Sequence, residues 1–137
     1  MPWVNLLAVS LIARICLVVL FPFSALDKIV HWNDALKQAD SSFVPGGPVP
    51  LVAAIAVEFI TPVCIVANWH ERSAALVLAA FCVVTAVLYH PFWKFADFWA
   101  AGESVGRNHF WDFLKNFGLV GGLLLIVIGT NLIGKAA

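Results

Sequence analysis

The stretch VPLVAAIAVEFITPVCIVAN, residues 49–68, carries one charged side chain, Glu58, in an otherwise apolar run. At a helical rise of about 1.5 Å per residue, twenty residues cross the roughly 30 Å hydrocarbon core of a bilayer. Three further stretches have the same character: residues 6–26, 73–89 and 113–133, the last with Lys115 and Asn116 near its start. With 62% hydrophobic and 12% charged residues, too little polar sequence remains to enclose four such runs in water. The expected fold is all-α: an integral membrane four-helix bundle within one domain, residues 1–137. Both termini are expected on one side of the membrane and two long interfacial loops on the other. A bacterial inner (plasma) membrane is the expected location.

The linkers fit this reading. Residues 69–72 make a tight hairpin, whereas residues 27–48 and 90–112 form the long loops, where function is more often found. Trp3, Trp32, Trp69, Trp93, Trp99 and Trp111 all fall outside the four apolar cores, as amphipathic rings prefer the membrane boundary. In the first long loop, Ile29, Trp32, Leu36 and Ala39 recur at helical spacing, which predicts a short interfacial helix with its apolar side toward lipid. SSFVPGGPVP then ends any helix and leads into the second span. Arg14 and the missing basic leader distinguish the first apolar stretch from a signal peptide.

Several chemistries are disfavoured. Zero formal net charge with no Lys/Arg cluster argues against nucleic acid. Cys16, Cys64 and Cys82 lie in three different spans with no C-x-x-C, so they read as small apolar packing residues. His31, His90 and His109 share the long-loop side and could ligate a metal or shuttle protons, but without close ligand spacing they read as interfacial hydrogen-bonding groups, and no metal is expected. The rings of HPFWKFADFWAAGESVGRNHFW suit an interfacial aromatic belt or, alternatively, a ring-stacking pocket for a quinone head group. Gly118 and Gly122 form a G-x-x-x-G expected to pack inside the monomer.

A charge in the bilayer centre costs about 2.5–3.5 kcal/mol on insertion scales, so Glu58 requires a cation. Counted from the long-loop boundary, Glu58 lies about 13 Å deep, Arg14 about 18 Å and Lys115 only a few Å, within mutual reach of long side chains. Adding Asp112, one turn before Lys115, gives an expected neutral cluster of Arg14, Glu58, Asp112 and Lys115, with Asn116 beside it. Two roles are open to it. It is either an ion-pair lock between helices or the lining of a pocket in which Arg14 binds an anion and Glu58 takes a proton.

LIARICLVVLFPFSALDKI (residues 11–29), the intramembrane Glu58, the restart Arg72-Ser-Ala-Ala-Leu, HPFW and FLKNFGLVGGLLL (residues 113–125) together resemble the DoxX family of small four-helix membrane proteins. One departure is Pro62, in FITPVCIVANWHER, where such proteins are often glycine-rich. The resemblance implies a relation to the membrane subunit of thiosulfate:quinone oxidoreductase and to sulfur, thiol or quinone redox systems. It also implies polar positions at Arg14, Asp27, Lys28, Glu58, Lys115 and Asn116. The functional expectation is a membrane component of an oxidoreductase system handling a small anion or a quinone. The alternative is a non-catalytic subunit that anchors a larger membrane complex. A transporter is less favoured, because four short spans without broken helices offer no evident pathway.

Overall fold

A computed structural model describes residues 5–42 and 46–135, with side chains described through residue 129. Expectations placed on Trp3 and on residues 43–45 lie outside the described residues. Among those residues the chain is helical, with no strand: α1 (Leu6–Val18), α2 (Leu20–Val30), α3 (Trp32–Asp40), α4 (Pro48–Val66), α5 (Glu71–Tyr89), a 3-10 turn (Phe92–Lys94) and α6 (Val105–Lys135). Four helical segments are long and apolar enough to cross a membrane: Leu6–Val30, Pro48–Val66, Glu71–Lys94 and Val105–Gly129.

Local chemistry explains the boundaries. Asn5 caps α1, its Oδ1 accepting from the amides of Leu7 and Ala8. The break between α1 and α2 falls at Val19, where Pro22 has no amide to offer the carbonyl of Val18 and its ring crowds that carbonyl. The chain nevertheless continues in helical conformation through Val19 (φ −58°, ψ −29°), so α1 and α2 make one span ending at Val30. The first span therefore runs four residues beyond its expected end. Asp27 and Lys28, expected in the loop, are helical.

The turn between α4 and α5 is a Schellman closure built on asparagine. Asn68 takes the left-handed conformation (φ 55°), the Trp69 amide donates to the Cys64 carbonyl and the Asn68 amide to that of Ile65. The span boundary at α6 differs more. The helix begins at Val105, eight residues before the expected span, because VGRNHFWD is helical although too polar to count as membrane core. Ser104 accepts the Arg107 amide at that end, as a helix cap does.

The core centres on α5, whose Ala75, Ala79, Cys82 and Ala86 are buried. Small side chains at these four- and seven-residue spacings let neighbouring helices approach. Val18, Phe21, Ile65, Leu78 and Leu123 pack into the same cluster. Cys64 and Cys82 are buried packing residues, while Cys16 is exposed.

Two packing expectations are corrected. The inward side of α3 carries Ala35, which is buried, and Ala39, which lines a cavity, with Trp32 and Leu36 half-buried and the helix packed against α2 and α4, so α3 is seated on the bundle. Gly122 faces α1, where an added Cβ would lie 2.8 Å from Leu17 Cδ1, but Gly118 opens to empty space. The G-x-x-x-G thus supplies one packing glycine, not two.

Candidate functional site: a cavity above a buried ion pair

Lys28 lies one helical turn after Ser24 on α2, and both face Glu58 of α4. Lys28 Nζ is 2.9 Å from each Glu58 carboxylate oxygen and donates to Ser24 Oγ at 2.6 Å. The Ser24 hydroxyl in turn donates to Glu58 Oε1 at 2.9 Å. Glu58 is 3% exposed, so its charge requires this compensation. All three ammonium protons are engaged by these acceptors.

Above this group lies a cavity of about 380 Å³ bounded by α2, α3, α4, α5 and α6. Its volume falls in the range of small-molecule sites. Phe21, Leu51, Phe81 and Leu119 supply apolar wall, and Ser24, Lys28 and Glu58 supply polar lining. Asp27, His31, Asp34, Gln38, Thr85, Tyr89, His90 and Asn116 also contribute. The Tyr89 hydroxyl and the Gln38 amide make no hydrogen bond to another described residue. Three lining carboxylates, Asp27, Asp34 and Glu58, stand against one lining ammonium, Lys28. A neutral ligand is therefore better matched to the cavity than an anion.

The expected four-residue cluster is not what the fold builds. Arg14 Nη1 pairs with Glu71 Oε2 at the start of α5 and donates to the Ile65 carbonyl at 2.9 Å. It thereby ties α1 to the α4–α5 hairpin. Depth explains the difference. Because the first span runs to Val30, Arg14 is sixteen residues, about 24 Å, from the long-loop end, whereas Glu58 is ten residues, about 15 Å, from the start of α4. Lys115 pairs with Asp112 at 3.3 Å, with 73% and 44% of the respective side chains exposed, and so leaves Glu58 to Lys28. Asn116 lines the cavity, anchored by its side-chain amide on the Asp112 carbonyl at 2.9 Å. Asp27 also lines it, its carboxylate 3.0 Å from His31 Nδ1.

Of the residues singled out in the sequence, Lys28, Glu58, Asp27 and Asn116 therefore meet at the cavity, and Arg14, Asp112 and Lys115 lie in other contacts. Ser24, Glu71 and Tyr89 were missed. A signal for Glu71 was present: a carboxylate at the start of a span, on the side from which Arg14 is only eight residues, about 12 Å, into its helix.

The Phe and Trp rings of the aromatic loop do not line this cavity and pack on one another instead. Phe92 sits amid Trp93, Phe98, Phe110 and Phe113 with ring centroids 5.1–5.4 Å away, mostly edge to face. The rings lining the cavity are instead Phe21, Phe81 and Tyr89, with His31 and His90. Gly106 permits the loop to close on α6, since an added Cβ would lie 2.5 Å from Phe95 Cβ. Phe95 stacks on His109, whose Nδ1 is 3.3 Å from Nδ1 of His90. Among the described residues no group of three or more His, Cys, Asp or Glu side chains could hold a metal ion.

Four apolar spans with an ion pair buried between the first two define a polytopic helical membrane protein with a polar intramembrane site. The DoxX family model matches residues 9–91. The chain is also 30% identical over 121 residues to inner membrane protein YphA of Escherichia coli, covering 86% of this chain and 80% of that protein. With inner membrane protein YqjF of the same organism it shares 33% identity over 118 residues, covering 86% and 81%. The chain belongs to the DoxX family and is an integral inner-membrane protein in contact with the lipid bilayer. No solved structure matches it.

Proposed function

We propose that this protein is the quinone-binding membrane component of an oxidoreductase system, taking a neutral quinone head group into the cavity above Lys28 and Glu58. The observation that carries this reading is a cavity of about 380 Å³ that joins an apolar wall to a polar lining whose ionised groups are mainly carboxylates. A flat neutral ring fits between Phe21, Leu51, Phe81 and Leu119, and its two carbonyls need hydrogen-bond donors. Lys28 has none left over, so Tyr89, Gln38 and His90 are assigned that task. Thiosulfate or another small anion is disfavoured, because Lys28, the one lining ammonium, is already committed to Glu58 and Ser24.

Reduction of a quinone to a quinol takes up two electrons and two protons. In this reading the electrons come from a partner redox subunit, and this chain supplies binding, orientation and proton access. Photolabelling with an azidoquinone in membranes tests it. The expected adducts map to α2, α4 and α5 peptides that line the cavity and are competed away by decylubiquinone. Adducts spread over the outer surface of α6, without competition, would contradict it.

A second reading is favoured by the saturation of Lys28: an ammonium with every proton committed is suited to holding helices in register. In that case the protein anchors a larger membrane complex and the pair serves only as a lock. Filling the cavity by Ala54→Phe separates the two, since a lock and the complex it holds are untouched by that change and a binding site does not survive it.

A further inference from the structure

We propose that His90 and His109 form a proton-sharing pair that carries protons between the long-loop end of the protein and the cavity. The proposal rests on the quinone reading for what consumes those protons, and on independent geometry for the pair itself. His90 caps the C-terminus of α5 and lines the cavity. His109 stands in the second turn of α6, half-buried, in the polar stretch that precedes the membrane core. Their Nδ1 atoms are 3.3 Å apart, so one ring presents Nδ1–H and the other an Nδ1 lone pair. Two protonated rings would place two donors and two positive charges against each other.

The surroundings suit transfer. Phe95 stacks on His109 at a 26° interplanar angle and holds that ring. Charged groups near the pair include Asp112, which acts on His90 and lies three residues after His109, Lys115, bound to Asp112, and Asp97, whose carboxylate lies against Gly106 one turn before His109. Tyr89, beside His90 in the chain, also lines the cavity. A ligand filling the cavity would displace the water that otherwise brings protons through its mouth. The imidazole pair in the α5–α6 wall then provides a route around the ligand.

The step balances as follows. A proton binds Nε2 of the ring that carries Nδ1–H, making it an imidazolium. Its Nδ1 proton passes to Nδ1 of the second ring, which then releases its own Nε2 proton. One proton has entered and one has left, with the hydrogen bond reversed, and each ring regains its starting tautomer by exchanging a proton with water.

Two measurements on the full chain in nanodiscs test this. In protein with 15N-labelled histidine, the pair should show scalar coupling between the two Nδ1 nuclei, which His31 and His70 should lack. Absence of that coupling would overturn the proposal. In film voltammetry with decylubiquinone bound and the electrode supplying electrons, His109→Ala should slow the two-electron, two-proton reduction roughly 100-fold. Added imidazole should restore the rate while decylubiquinone affinity stays constant. An unchanged rate, or a loss that imidazole does not rescue, would overturn the path. Failure of decylubiquinone to bind wild-type protein would reject the quinone reading instead, and the nitrogen coupling would still decide the pair.

Discussion

Lys28 and Glu58 owe their stability in a low-dielectric interior to each other. Removing one charge strands the other, at a cost of about 3–5 kcal/mol for a buried pair. Glu58→Gln should therefore lower the thermal midpoint in detergent markedly, readable by a fluorescence melt. The double substitution Lys28→Met with Glu58→Leu should recover most of that loss, since apolar residues of similar volume often replace a buried pair without penalty. Arg14→Met should act at the other end of the bundle. It frees Glu71 and the Ile65 carbonyl, and the expected readout is faster proteolysis at the α4–α5 turn, unaccompanied by changes at the cavity. That Glu58 needs a cation is legible from burial cost alone. Which cation it takes is not, because the answer depends on where the first helix ends, and Lys28 reads as loop when hydropathy sets the boundary.

At the scale of elements, glycines in α6 separate packing from permissiveness. Gly106→Ala places a Cβ 2.5 Å from Phe95 Cβ and 2.7 Å from Asp97 Oδ1, so the loop must move. Forced overpacking of this kind typically costs about 1–3 kcal/mol, and the thermal midpoint should fall accordingly. Gly118→Ala meets nothing within 4 Å and should be neutral or stabilising by up to about 1 kcal/mol through helix propensity. The four spans were legible because apolar length is a physical requirement of the bilayer. The polar first turns of α6 were not, since hydropathy cannot distinguish a helix emerging from the membrane from a loop. The inward packing of α3 was likewise hidden: its apolar stripe is as compatible with lipid as with α4, and only the packed bundle decides.

For the whole molecule, the two partly buried ion pairs divide the labour. Arg14 and Glu71 close the hairpin end, while Lys28 and Glu58 sit beneath the cavity at the long-loop end. The central claim is that this cavity takes a neutral ring. Calorimetric titration of decylubiquinone into the protein in nanodiscs tests it most directly, alongside the variant Ala54→Phe, which fills the cavity from α4. Saturable one-to-one binding to the wild type is expected, with at least tenfold weaker binding to Ala54→Phe at an unchanged thermal midpoint and no competition by thiosulfate. Equal binding to both proteins, or displacement by thiosulfate, would contradict it.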